Sequence, residues 1–187
     1  MNKLLLSSTM AIALCLSFQA NVNAEETIEF RPANSGSGPS VKFSFDGELF
    51  TSPKKLTQAN ANTDIEKALV NFFKANKEGN KQAFIDSYSP KYKAQMTEFT
   101  NSDVWEQNVS RFEVETSSEL LANIRYGKYI ICVVSSTYKN FDGYSETLYP
   151  LELLDGKYYV TQDLSSDLFM TNYGYQLAND IASRAKR

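Results

Sequence analysis

The sequence offers a narrow choice of residue types for acid–base or nucleophilic chemistry near neutral pH. The chain contains no histidine, so a group that exchanges protons near neutral pH has to be a buried carboxylate, a lysine or a tyrosine. Cys132 lies in the apolar run Tyr129–Val134, where a cysteine is typically a small core residue. It also lacks a histidine partner that would activate it. The sequence therefore does not indicate nucleophilic catalysis.

Metal sites and cofactors are not predicted either. Zinc and iron sites need imidazoles or several thiolates, and Cys132 is joined by only one other cysteine, Cys15. Asn140, Asp142 and Glu146 lie close together but lack the spacing of a calcium-binding loop, so we interpret them as part of a hairpin turn. A glycine-rich phosphate loop is missing from the sequence. We expect no metal and no cofactor.

A single helical segment offers a carboxylate close to tyrosines, namely Asp86, Tyr88 and Tyr92. A carboxylate base facing a tyrosine in an apolar cavity is a known arrangement for proton transfer. Residues two positions apart on a helix point in different directions, however. We therefore interpret Asp86 as solvated and Tyr88 as a packing residue, and the sequence identifies no catalytic residue.

Aromatic residues are the strongest remaining signal, at 13% of the chain with 11 tyrosines and one tryptophan. A tyrosine combines a large apolar ring with a polar tip, which suits a partly hydrated pocket or a partner surface. Each of these aromatic residues also fits an ordinary core position. We predict that five of them line a cavity for an apolar ligand: Phe73, Tyr88, Tyr92, Trp105 and Tyr149.

The elements that would position these residues begin after a predicted export signal, residues 1–24. Lys3 precedes an apolar run, Met10–Phe18, and Val22-Asn23-Ala24 resembles a cleavage site. The run is too short to span a bilayer, so we expect an exported protein, periplasmic or secreted, with no integral membrane segment. Removal of the signal leaves 18 basic and 22 acidic residues, a formal charge of 18 − 22 = −4. This balance argues against nucleic acid as a partner.

The helical half of the predicted fold is Thr63–Phe99, which reads as three consecutive helices. A buried face is indicated by apolar residues at helical spacing, and Thr63 with Glu66 fits a capping box, while Gly79 fits a helix end. A fourth short helix is predicted around Trp105. Residues 25–62 are predicted to form an N-terminal extension, with a short hairpin at 41–50 that turns at Asp46-Gly47 and then a linker.

The C-terminal half is predicted to be a β-meander. Strand-like runs are joined by turns at Gly127-Lys128, Asp142-Gly143 and Asp155-Gly156. The run 129–138 is apolar on both faces, which indicates a central strand covered twice. A helical tail follows from about Tyr175, with Gly174 as a break. The domain prediction is thus an α+β fold over residues 63–187.

Two segments, DIEKALVNFFKANKEGNKQAFIDSYSP and YPLELLDGKYYVTQD, together with the order of elements, resemble the NTF2-like superfamily, which includes ketosteroid-isomerase and SnoaL-type members. The resemblance covers roughly residues 63–163. It implies a cone in which a curved antiparallel sheet wraps against the long helix around a cavity. It also implies a homodimer surface on the exposed sheet face, where we place four tyrosines: Tyr126, Tyr138, Tyr158 and Tyr159.

Fold alone does not decide function, because members of this superfamily use the cavity as an active site, as a ligand pocket or as core. Our first hypothesis is a non-enzymatic binding module for a small apolar ligand, a peptide or a protein partner. The second is an isomerase- or hydratase-like enzyme that uses a buried carboxylate. The third is an inhibitor or assembly accessory protein that acts by surface contact.

Overall fold

The computed structural model describes residues 26–33, 42–139 and 141–185. The predicted export signal and most of the Ser/Gly-rich segment before Val41 lie outside the described residues. The described chain forms an α+β fold with six strands and five α-helices. In chain order the elements are β1 (Glu26–Phe30), β2 (Phe43–Lys55), α1 (Asp64–Lys77), α2 (Lys81–Ser87), a short 3-10 helix (Pro90–Tyr92), α3 (Lys93–Thr100), α4 (Val104–Glu113), β3 (Glu115–Tyr126), β4 (Tyr129–Tyr138), β5 (Phe141–Leu154), β6 (Lys157–Val160) and α5 (Leu168–Ala185).

All six strands belong to one open antiparallel sheet, in which each strand pairs with its neighbour in the chain. Two hydrophobic cores lie on opposite faces of this sheet. The first is formed with α1, α2, α3 and α4, and the second with α5. The predicted α+β class and the meander are confirmed.

Local signals specify the helical half as predicted. The Thr63 hydroxyl accepts a hydrogen bond from the Glu66 N–H, and the Glu66 carboxylate accepts one from the Thr63 N–H. At the other end of α1, Gly79 has φ +62°, and the N–H groups of residues 79 and 80 bond to the carbonyls of Asn76 and Ala75. This is the Schellman arrangement that a glycine permits. The three predicted helices after Thr63, and the fourth around Trp105, are confirmed.

The central position of β4 is also confirmed, and a bulge divides its neighbour β3 between the two cores. Cys132 and Val134 face α1, whereas Ile131 and Val133 face α5. The register of β3 against β4 shifts between Leu120 and Ala122. Adjacent strand residues normally point to opposite faces, and at this bulge the neighbours Leu121 and Ala122 both join the α5 core while Leu120 joins the α1 core.

The predicted hairpin at 41–50 is wrong, because β2 continues through Asp46-Gly47 and pairs on one side with β1 and on the other with β3. Gly47 does not make a turn. A Cβ atom there would lie 2.4 Å from the Asn123 carbonyl oxygen, so glycine permits a close approach of β2 to β3. The predicted boundary between the N-terminal extension and the main domain, at 62/63, falls between β2 and α1.

Two glycines at the other end of the chain have roles that differ from those predicted. Gly143 lies within β5, and Tyr138 pairs with Phe141, so Asp142-Gly143 does not form the predicted turn. Asn140 lies outside the described residues. Gly174 does not break the tail, because α5 passes through it. A Cβ atom at Gly174 would lie 3.3 Å from Leu148 Cδ1, so the missing side chain brings α5 close to β5.

The predicted tyrosine face is wrong, because the four tyrosines do not share one face. Tyr126 lies under α5, where its ring stacks on Phe169 and its hydroxyl bonds to Asp167. Tyr158 packs against the first core, and its neighbour Tyr159 points the other way. α5 thus occupies the sheet face on which a homodimer was expected.

Candidate functional site

A cavity in the described chain is open to solvent and has a volume of about 650 Å³. It lies where the C-terminal halves of α1 and α4 face the end of β2 and the start of β3. Small-molecule sites typically measure roughly 300–1,000 Å³. The apolar part of its lining consists of Leu56, Val70, Phe73 and Phe112.

Helix periodicity explains why α1 supplies both apolar and charged parts of this lining. Val70, Phe73, Lys74 and Lys77 stand at i, i+3, i+4 and i+7, so they follow one another along a single stripe of the helix. Phe73 packs its ring 6.1 Å from that of Phe112. The floor of the cavity is therefore a continuation of the first hydrophobic core.

Glu115, the first residue of β3, lines the cavity and is half-buried. Burial raises the pKa of its carboxyl group to about 7, although Lys77, a hydrogen bond from Ser136 and Arg111 each lower it in part. Among the described residues it forms no ion pair. A carboxyl group with such a pKa is about half protonated at neutral pH, so it can either donate or accept a hydrogen bond.

Hydroxyl groups on β3 and β4 hold this carboxyl group in place. The Ser118 hydroxyl donates to Glu115 Oε1, and the Ser118 and Ser136 oxygens lie 3.2 Å apart. Tyr149 packs its ring 5.2 Å from Phe73, and its pKa is raised by burial and further by the charge of Glu115. The hydroxyl donors favour the charged form of Glu115, but burial outweighs them and keeps its pKa raised.

Three lysines, Lys55, Lys74 and Lys77, stand around the cavity. Lys77 Nζ donates to the backbone carbonyl of Glu115 at 3.3 Å, which holds its ammonium group beside the carboxyl-bearing residue. Lys74 forms a long ion pair with Glu78 at 4.0 Å. Glu78 and Glu119 supply the remaining carboxylates of the lining. The mouth therefore carries cationic groups on both the α1 side and the β2 side.

A second polar cluster lies at the other end of the first core, around Asp163. Its carboxylate accepts hydrogen bonds from Lys91, from the Tyr92 hydroxyl and, at 2.7 Å, from the Tyr129 hydroxyl. Burial opposes the ionisation of Asp163, but these donors outweigh it and hold the pKa of the carboxyl group below its usual range. Such a carboxylate is a poor proton acceptor.

Glu152 extends this cluster. It is buried, it accepts hydrogen bonds from Ser89 at 3.2 Å and Lys128 at 2.5 Å, and it pairs with Lys91 at 3.4 Å. The cluster therefore ties the 3-10 helix to β4, to β5 and to the chain after β6. We assign it a structural role.

The five aromatic residues predicted to line a cavity lie in three places. Phe73 lines the cavity, and Tyr149 packs against it. Tyr88 and Trp105 lie in the first core around Phe84, at ring distances of 5.1 and 4.9 Å, and burial raises the pKa of Tyr88 to about 12. Tyr92 belongs to the Asp163 cluster.

The other predicted groups are placed as follows. Asp86 accepts hydrogen bonds from Lys93 and Gln82, and these hold its pKa below the usual value. The Cys132 thiol is fully buried, and burial raises its pKa. Within residues 26–33, 42–139 and 141–185, no three His, Cys, Asp or Glu side chains come together as metal ligands.

Glu115 was not identified from the sequence. It stands between Val114 and Thr116 in a stretch that reads as alternating, so its carboxylate is expected in solvent. The structure continues α4 to Glu113, and β3 begins only at Glu115. The burial of Glu115 depends on α1, which is distant in the chain, and no local signal reports it.

A scan against protein-family models gives no match for this chain, and neither the curated proteins nor the solved structures contain a match. None of the described helices has both the length and the apolar character needed to cross a membrane.

Proposed function

We propose that this protein is a binding module that holds a small, mostly apolar molecule in the cavity between α1 and β3. One observation carries the proposal. A solvent-open cavity of about 650 Å³ combines a floor of apolar side chains with the Glu115 carboxyl group, which is half-buried and forms no ion pair among the described residues. A few polar groups in a mainly apolar cleft are typical of a ligand site.

The apolar floor supplies the expected driving force. Burial of one methylene group contributes about 0.8 kcal/mol, which is close to a fourfold change in the dissociation constant. A linear alkyl chain that lies along Val70, Phe73 and Phe112 should therefore bind more tightly as it lengthens, until the cavity is filled. The polar groups then determine how the ligand is oriented.

The test is calorimetric titration with a series of 1-alkanols from hexanol to decanol. We expect the dissociation constant to fall by about fourfold for each added methylene. Val70→Phe fills part of the cavity and should weaken decanol binding at least tenfold. Val104→Phe makes the same change at an exposed position of α4 and should leave binding unaltered.

Either of two results would refute the proposal. One is the absence of binding throughout the series at concentrations up to the solubility limit. The other is an equal loss of affinity in both variants, which would place the alkanol elsewhere. Circular dichroism and thermal unfolding of both variants establish that each is folded before binding is compared.

A second candidate function is acid–base catalysis on an apolar carbonyl compound, and the raised pKa of Glu115 favours it. In this reaction the Glu115 carboxylate removes a proton from the carbon next to the carbonyl group, and the resulting acid returns a proton from solvent. The test follows deuterium incorporation into 2-decanone in D₂O by NMR. Exchange that disappears in Glu115→Gln supports catalysis, and exchange at the uncatalysed rate argues against it.

We also propose that the fold is the NTF2-like cone and that the protein acts after export. The cone is supported by the packing of α1 on an antiparallel sheet next to an open cavity. Two features depart from the minimal cone, namely the strands β1 and β2 before α1 and the cover that α5 provides. Export rests on the sequence of residues 1–24.

A further inference from the structure

We propose that the ligand is a long-chain carboxylate, whose alkyl chain lies on the apolar floor and whose head group bonds to the Glu115 carboxyl group beside the lysines of the cavity mouth. This inference rests on the proposed binding function and specifies its ligand class. It is drawn from the arrangement of Glu115, Lys55, Lys74 and Lys77 around one cavity.

The position of Lys77 is the first step of the argument. Its ammonium group is held at the backbone carbonyl of Glu115, so a cation lies directly beside the carboxyl group without forming an ion pair with it. Lys74 and Lys55 approach the same opening from α1 and from the end of β2. A ligand head group that reaches Glu115 therefore passes between three ammonium groups.

The state of Glu115 is the second step. Burial raises its pKa to about 7, so a proton is available there at neutral pH. The protonated group can donate to a ligand carboxylate, and hydrogen bonds in which one partner is ionised are roughly twice as strong as neutral ones. With Glu115 protonated, the three lysines outnumber the carboxylates of Glu78 and Glu119 in the lining, and the remaining positive charge compensates the negative charge of the ligand.

Other head groups fit these surroundings less well. An alkylammonium ion would be repelled by the lysines. An alcohol would gain the hydrogen bond but none of the attraction to the ammonium groups. A carboxylate head group gains both the hydrogen bond from Glu115 and the attraction to the ammonium groups. We therefore prefer an anionic amphiphile to a neutral one.

Binding of this kind should take up protons. The groups that face Glu115 are Lys77 from α1, Arg111 from α4, Ser118 on its own strand, Ser136 from β4 and Tyr149 from β5. Lysine, arginine and tyrosine side chains ordinarily keep their protons up to about pH 9. An ordinary carboxyl group, such as that of the ligand, is ionised above about pH 6. Proton uptake between pH 6 and pH 8.5 therefore reports on Glu115.

The experiment compares decanoate, decanol and decylamine by calorimetry in two buffers of different ionisation enthalpy, at pH 6, 7 and 8.5. We expect decanoate to bind at least tenfold more tightly than decanol at pH 6. Its binding should take up about half a proton at pH 7, and its affinity should fall about thirtyfold between pH 6 and pH 8.5, which follows the protonated fraction of Glu115.

Variants separate the two polar partners. Glu115→Gln keeps a donor but does not titrate, so decanoate should bind within about threefold of the wild type at pH 6, without proton uptake and without the loss at pH 8.5. Lys77→Gln should weaken decanoate binding about tenfold more than it weakens decanol binding. Lys67→Gln, at an exposed position of α1 outside the cavity, is the control and should change neither.

The possible results distinguish this inference from the proposed function. If decanol binds and decanoate binds no more tightly, or binds without proton uptake, the head-group assignment is wrong and the apolar site stands. Tighter binding of decylamine than of decanoate also overturns it. If none of the three ligands binds to the wild type, both the proposed function and this inference fail.

Discussion

Replacement of Glu115 by glutamine should change how the stability of the protein depends on pH. In the unfolded chain the carboxyl group has an ordinary pKa of 4.5, and in the fold burial raises it to about 7. Below pH 4.5 the group is protonated in both states and contributes no difference. As the pH rises from 4.5 to about 7, the group ionises in the unfolded chain but stays mostly protonated in the fold, so the wild type loses stability. Above about pH 8 the group is ionised in both states and the loss stays constant.

The magnitude follows from the two pKa values. Their difference, at roughly 1.4 kcal/mol per pH unit, corresponds to about 3 kcal/mol above pH 8. Because Glu115 is only half-buried, water screens part of this cost, and we expect about 2 kcal/mol. Glu115→Gln carries no charge, so its free energy of unfolding relative to the wild type should increase by that amount between pH 4.5 and pH 8.

The assay is urea unfolding of both proteins at half-unit steps of pH. Titration of the other groups is common to both proteins and cancels in the difference. Glu113→Gln, at an exposed position two residues earlier, is the control and should differ from the wild type by less than about 0.5 kcal/mol at every pH. A pH-independent difference for Glu115→Gln, or one that decreases as pH rises, would refute the burial of this carboxyl group.

Three further predictions concern the rest of the chain. Asp163→Asn should lower the free energy of unfolding by about 1–2 kcal/mol at pH 7, measured by urea unfolding. Because the fold lowers the Asp163 pKa, this difference should shrink as the pH falls below the ordinary value of 3.8. A cost that persists at pH 2 would contradict the charged cluster. Leu177→Ala should lower the free energy of unfolding by about 3 kcal/mol, because the Leu177 side chain is fully buried between α5 and the sheet. Tyr175→Ala, on the exposed side of α5, should lower it by less than about 0.5 kcal/mol. Equal costs would argue against the second core. Mass spectrometry of the protein from its own host should give a chain that begins at Glu25, and an intact N-terminus would rule out cleavage at the predicted site.

Features that depend on neighbouring residues were predictable from the sequence. The capping box at Thr63, the Schellman glycine at Gly79 and the Asp155-Gly156 turn each involve a few consecutive residues, so their chemistry is visible in the sequence. The two-sided apolar pattern of 129–138 likewise indicated a central strand. These signals were enough to give the α+β class and the meander from β3 to β6.

Features that depend on distant residues were not predictable. Asp46-Gly47 has the composition of a hairpin turn, and only the close approach of β3 explains why a glycine stands within β2. Gly174 has the composition of a helix break, and only the contact with β5 explains its place in α5. The alternating pattern around Glu115 indicates a solvent-facing strand residue. Its burial is created by α1, which is distant in the chain.

The most direct test of the account is NMR mapping of decanol on protein with labelled methyl groups. The account predicts that chemical-shift changes are largest at Leu56 and Val70, which line the cavity, and that they saturate with the calorimetric dissociation constant. Val104, exposed on α4, should not shift. Changes centred on the α5 side of the sheet, or no changes at Leu56 and Val70 when decanol is bound, would contradict the claim that this cavity is the binding site.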